Sequence, residues 1–134
     1  MVIETDSRTL LEKALNANAW FSRISGIALA VLSPWLADFA GIETWIVLVV
    51  GLGLIGYSMW LGMAASRRPI LRAEALTAIV GDDLWVMGAA VIIFFTDWIT
   101  TEAKVVLGAL TLIVAVFGVV QVIGLAQQEK ANLS

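Results

Sequence analysis

Apolar residues gather along this chain into four long runs, at about 20 to 38, 44 to 65, 84 to 100 and 103 to 126, separated by short polar breaks. Each approaches the roughly 20 helical residues that cross a hydrocarbon core of about 30 Å. None alternates with the period of two that barrel strands show, and backbone in lipid must satisfy its own hydrogen bonds. Each run therefore predicts a transmembrane helix. The link TDWITTE after the third run leaves room only for a tight turn. The expected fold class is an all-α membrane protein, a four-helix transmembrane bundle in one domain over residues 1 to 134. A tail over 1 to 18, a link over 66 to 83 and a tail over 127 to 134 complete it.

The polar flanks carry a helical pattern of their own. Thr9 and Glu12 stand in capping-box spacing, and Leu10, Leu11, Ala14, Leu15 and Ala17 can share one face against Glu12, Lys13 and Asn16. In the central link, Pro69 suits a helix start, with Leu71, Ala75, Leu76, Ile79 and Val80 on an apolar face. Both segments predict short amphipathic helices lying at the membrane surface or capping the bundle.

Composition agrees with the pattern and removes whole classes of chemistry. The chain is 60% hydrophobic and 14% charged, with mean hydropathy +0.94, whereas a soluble domain carries about 25% charged residues. The net charge of −3 offers no basic face for nucleic acid. With no Cys and no His, disulfides, thiolate or imidazole metal sites, Cys nucleophiles, His bases and His or Cys haem ligation all fall away. Neither a catalytic residue nor a metal site is expected. The Ala28-Leu29-Ala30 triplet lies inside an apolar run, so no cleavable signal is expected, nor is a lipid anchor with Val2 and no Cys.

The distribution of charge sets an orientation. Arg8, Lys13, Arg23, Arg67, Arg68 and Arg72 flank one side, while the other has only Lys104 against Asp38, Glu43, Asp97 and Glu102. Both termini are expected in the cytoplasm. The tryptophans fit two interfacial belts: Trp20 and Trp35 bracket the first run, Trp45 and Trp60 the second, Trp85 and Trp98 the third. Their spacings correspond to roughly 20 to 23 Å of helix.

The halves echo one another. A shift of roughly 60 residues lays Trp20 near Trp85, Gly26 near Gly88, and Ser33-Pro34-Trp35 on Thr96-Asp97-Trp98. The helix after each also opens near an acid, Glu43 or Glu102. This predicts a duplicated two-helix unit whose copies run in the same sense, a parallel repeat about the membrane normal. A small-residue-rich helix ending in Ser-Pro-Trp, followed by a glycine-rich one and occurring twice, resembles the SPW-repeat family of small bacterial membrane proteins over residues 18 to 125. The second copy has Thr96-Asp97 in place of Ser-Pro. The resemblance implies an architecture and a bacterial source, with no activity attached.

Pro34 removes the hydrogen bond to the carbonyl of Ala30, so the helix kinks or ends there, and Ser33 lacks the base a nucleophile needs. Arg23 and the Asp82-Asp83 pair fall at one depth of the first and third helices. Two readings stand: Arg23 snorkels to lipid phosphates with the aspartates in water, or Arg23 bridges to Asp82 or Asp83. Ser22, Gly26 and Ala30 on the first helix, and Ser58, Gly62 and Ser66 on the second, form small-residue stripes suited to close helix packing. The glycines of VGLGLIG at 50 to 56 belong to the same use, since no strand precedes them for a nucleotide loop.

Three classes of function compete. The expected one is a non-catalytic structural or accessory subunit that packs into a larger membrane complex or self-associates, because the middle of the helices offers little polar chemistry beyond Thr111. A small oligomeric transporter or channel is the second. The third is an enzyme or cofactor carrier: chemistry would rest on interfacial Asp or Arg, while apolar grooves and Trp faces could hold a lipid, quinone or pigment without a motif. Membrane lipids are expected partners in all three.

Overall fold

The structure, a computed structural model, describes residues 9 to 67 and 70 to 133, with the side chains of 132 and 133 outside that description. Arg8, Arg68 and Pro69, named above, lie outside the described residues. The described chain is all helical: α1 Leu10–Val31, α2 Ser33–Ala40, α3 Thr44–Ala65, α4 Arg72–Phe95 and α5 Thr101–Leu133.

Helix α1 opens as its capping signal requires, with Thr9 Oγ1 accepting from the Glu12 N–H at 3.1 Å. It then continues without interruption through the first apolar run. The reason is a single buried stripe, Leu11, Leu15, Asn18, Ser22 and Gly26, whose steps of three and four residues keep one face inward over about four turns. The separate surface helix expected at the N-terminus is thus the first half of α1, and Ala17 lies on its exposed side.

Pro34 ends that run. The α1 helix stops at Val31, and α2 leaves at 86° with Pro34 in its first turn, where a missing N–H costs nothing. Gly41 closes α2 at φ 75°, its N–H donating to the Ala37 carbonyl at 2.8 Å. The first run at 20 to 38 is therefore a broken pair of helices and not one straight span.

Helix α3 covers the expected residues 44 to 65. It packs most extensively on α1, at a point where both backbones lack side chains. A Cβ on Gly26 would stand 2.6 Å from the Gly51 carbonyl oxygen, and a Cβ on Gly51 2.8 Å from that of Gly26. Gly26 and Ala30 of the small-residue stripe stand at this contact, while Ser22 is buried beside Asn18. On α3 the partner stripe is different: Gly51 and Ile55 meet α1 and Ser58 is buried, but Gly62 is half-buried and Ser66 exposed.

Helix α4 absorbs both the central amphipathic segment and the third apolar run, and it stops at Phe95, earlier than residue 100. Its buried stripe is Ala75, Ala78, Ile79, Asp82 and Ala89; Leu71, Leu76 and Val80, expected on that face, are exposed. Thr100 caps α5, its Oγ1 accepting from the Ala103 N–H at 3.2 Å and its carbonyl from Lys104 N–H at 2.9 Å. The α5 helix then outruns the fourth apolar run and takes the expected C-terminal tail into helix as far as Leu133.

Among the described residues, three helices are long and apolar enough to cross a membrane: α3, α4 and α5, with mean hydropathies of 2.0, 1.9 and 2.6 over their apolar stretches. The bent pair α1 and α2 makes up to a fourth. The chain is a membrane protein by these features. At one end, Leu11, Leu15, Leu61, Ile79 and Leu125 form a close-packed core, edged by the ion pairs Arg67–Glu74 (2.7 Å) and Arg72–Glu129 (2.6 Å). At the other end the two connections are stitched together: Thr100 donates through Oγ1 to the Phe39 carbonyl at 2.8 Å and through N–H to that of Ala40 at 3.0 Å.

Candidate binding site

One turn beyond Ile79 the stripe of α4 turns polar. Successive helical residues are rotated by about 100°, so of the acidic pair one faces inward and the other out: Asp82 is 4% exposed and Asp83 is exposed. Asp82 meets one polar side chain from each of the other three long helices. Its Oδ2 accepts from Asn18 Nδ2 at 3.0 Å and from Gln121 Nε2 at 2.8 Å. Its Oδ1 accepts from the Tyr57 hydroxyl at 3.2 Å and from Asn18 Nδ2 at 3.3 Å. Asn18 Nδ2 also donates to Gln121 Oε1 at 3.0 Å, and Ser22 Oγ donates to Asn18 Oδ1 at 3.2 Å. Asn18 and Gln121 are as buried as the aspartate.

The chemistry of this tetrad is lopsided. Every group that reaches Asp82 is a donor, the arrangement an acceptor-only carboxylate takes, and every one is neutral. No Lys or Arg among the described residues pairs with it. Amide and phenol dipoles alone balance the carboxylate inside an apolar helix packing, where an unpaired charge is costly.

The tetrad also separates two different interiors. Toward the chain termini lies the packed leucine core. On the other side is a partly open cavity of about 420 Å³, lined from all five helices and including Phe21, Leu29, Leu36, Leu54, Trp85 and Leu110. It extends along α1 from Asn18 to Leu29, about 16 Å at 1.5 Å per residue. Asp82 and Tyr57 lie in its wall.

The residues singled out from sequence are distributed unevenly about this site. Arg23 reaches neither Asp82 nor Asp83; its guanidinium carbon sits 5.1 Å from the Trp20 ring centroid, a cation–π contact, beside Gly62. Trp20, Trp35, Trp45 and Trp98 are exposed, as a belt requires. Trp60 instead stacks half-buried on Tyr57 with centroids 6.0 Å apart, and Trp85 lines the cavity with its Nε1 buried and without a partner. The two echoing triplets end their helices differently. Ser33 is buried where α2 starts, and Trp35 stacks on Phe39 at 5.7 Å. Thr96 leaves α4 in extended geometry, its Oγ1 donating to the Ile92 carbonyl and its carbonyl accepting from Lys104 Nζ at 2.6 Å, with Asp97 exposed.

Asn18, Tyr57 and Gln121 belong to no motif in the sequence, and Asp82, expected at the water's edge or bridged to Arg23, stands instead at the centre of the tetrad. A signal was present. The step from Asn18 to Asp82 is 64 positions, and the same step carries Tyr57 to Gln121.

Comparisons with known protein families, with curated proteins and with solved structures find no match.

Proposed function

We propose that this protein is a non-catalytic, ligand-binding membrane protein whose helix bundle receives a small, largely apolar molecule in the cavity beside the Asp82 tetrad. The cavity carries the reading. Its 420 Å³ falls in the range of small-molecule sites, about 300 to 1,000 Å³, and all five helices contribute to its lining. The leucine core on the far side of the tetrad argues for a chamber with a floor over a conducting pore.

The architecture behind this reading is a four-helix bundle of two parallel helix-pair units, both termini cytoplasmic, in a bacterial inner membrane. The common 64-residue step supports the duplication, the helix break at Ser33-Pro34 supports the SPW-repeat resemblance, and the Lys and Arg bias supports the orientation. The accessory-subunit alternative rested on a middle empty of polar chemistry, a premise the buried tetrad weakens. The exposed apolar side chains, such as Phe94, Phe95 and Leu112, suit lipid as well as a partner.

Native mass spectrometry of protein extracted in mild detergent tests the proposal. The expected result is a retained small molecule that is lost or weakened in Ala28→Phe, which sets a bulky ring on the cavity wall. Wild-type protein free of such a mass, migrating within a larger complex, would favour the accessory subunit.

A further inference from the structure

We propose that the molecule taken by this cavity is an organic cation with an apolar body, its positive centre held at the Asp82 end; this rests on the ligand-binding reading above. Among the described residues, Asp82 is the one charged side chain in the cavity wall. Its described partners, Asn18, Tyr57 and Gln121, are neutral, so they orient the carboxylate without cancelling its charge. Arg23, five positions beyond Asn18 on α1, is held on Trp20, and Asp83 on the adjoining face adds to the negative potential. A low-dielectric chamber with one unbalanced negative group in its wall attracts a positive one more strongly than water would.

The rest of the lining decides what kind of cation. Both Asp82 oxygens already accept two hydrogen bonds each, and the remaining wall is overwhelmingly apolar. A metal ion, which needs six or so oxygen ligands to replace its hydration, finds too few. A weakly hydrated ammonium with aromatic or alkyl substituents finds the opposite: apolar walls for its body and the rings of Phe21, Tyr57 and Trp85 to face its charge. A neutral molecule of equal shape would fill the same space but leave the carboxylate unanswered.

The test compares benzyltrimethylammonium with its uncharged carbon isostere, neopentylbenzene. Binding is measured calorimetrically to the full chain in nanodiscs of neutral phosphatidylcholine, which carry no anionic surface of their own. The expected result is that wild type binds the cation at least about tenfold more tightly than the isostere, and that Asp82→Asn removes this preference while Asp82→Glu keeps it. If Asp82→Asn does not assemble, the wild-type comparison alone decides. Equal binding of the two probes, or tighter binding of the isostere, overturns the cation proposal and leaves the cavity a ligand site. Binding of neither probe, or cation binding undiminished in Ala28→Phe, overturns the proposal, and the first of these outcomes counts against the ligand-binding reading as well.

Discussion

The side-chain amide of Asn18 and the carboxylate of Asp82 lie 64 positions apart in the chain and 3.0 Å apart in space. Residues at corresponding places in two copies of a unit meet each other when they stand near the axis relating the copies. The same step pairs other buried positions: Leu11 with Ala75, Ala14 with Ala78, Leu15 with Ile79, and Leu61 with Leu125. The correspondence is incomplete, and where it fails it matters. The backbones of α1 and α5 lie close together, but those of the corresponding pair, α4 and α3, stand further apart and are bridged by the Tyr57 hydroxyl. Leu54, Tyr57, Gly81 and Trp85, from the two sides of that loose seam, all line the cavity.

The tetrad should act as a unit. Gln121→Leu removes a donor to Asp82 and the acceptor for Asn18 at once, and should cost about 1–3 kcal/mol. Tyr57→Phe removes the hydroxyl that reaches both Asp82 and the Ala78 carbonyl and keeps the ring on Trp60, so about 0.5–1.5 kcal/mol is expected. The double variant should show coupling within the range of membrane hydrogen bonds, about 0.6 up to 1.7 kcal/mol. Denaturant titration in detergent micelles measures all three; Gln121→Leu as stable as wild type would remove the tetrad from the energetics.

Glycines on a single helix should part into two groups. Gly51→Ala places a methyl 2.8 Å from the Gly26 carbonyl oxygen and 2.9 Å from the Ala30 nitrogen, backbone atoms that cannot swing aside. About 1–3 kcal/mol of destabilisation is expected. Gly53→Ala and Gly56→Ala meet nothing within 4 Å and should raise helix stability by up to about 1 kcal/mol each. The same unfolding titration separates them, and a uniform response along α3 would contradict the α1–α3 contact.

Charge exchange between Arg23 and Asp83 should restore nothing, since the two side chains do not meet. Arg23→Asp combined with Asp83→Arg is expected to be no more stable than the sum of its singles. Arg23→Ala and Trp20→Ala, in contrast, should couple by about 0.5–1 kcal/mol, the worth of an exposed cation–π contact. A rescued charge swap in the same double-mutant cycle would show that Arg23 leaves Trp20 for the aspartate.

These outcomes trace what the amino-acid pattern could reveal. Helix α3 was legible to the residue because its apolar run is bounded by Gly41 to Glu43 before it and by charge after it. Helix α4 was read as two pieces because Asp82-Asp83 resembles a membrane edge, yet nothing between Arg72 and Phe95 breaks a helix. The inward turn of Asp82 depends on which face of α4 meets α1 and α5, a tertiary fact. The register of 64 was blurred for a similar reason. The step of 64 lays Trp20 on Leu84 and Gly26 on Ala90, and the connections differ: α2 occupies the first and a five-residue turn, residues 96 to 100, the second. Positions inside the packed faces keep the step; the conspicuous residues do not.

The absence of cysteine allows the proposed orientation to be tested without background labelling. Asp97 and Gln127 are both exposed and lie at opposite ends of the helices, one in the turn before α5 and the other near its end. Asp97→Cys and Gln127→Cys remove no described hydrogen bond, so each variant should fold as wild type does. If the Lys- and Arg-rich end is cytoplasmic, a membrane-impermeant maleimide added to intact spheroplasts will label Asp97→Cys at once and Gln127→Cys only after lysis. The reverse order would place both termini outside. Because the cavity lies on the Asp97 side of the tetrad, the same result decides its side: with Asp97 outside, the leucine core stands between the cavity and the cytoplasm, and a bound molecule enters from the outer half of the membrane.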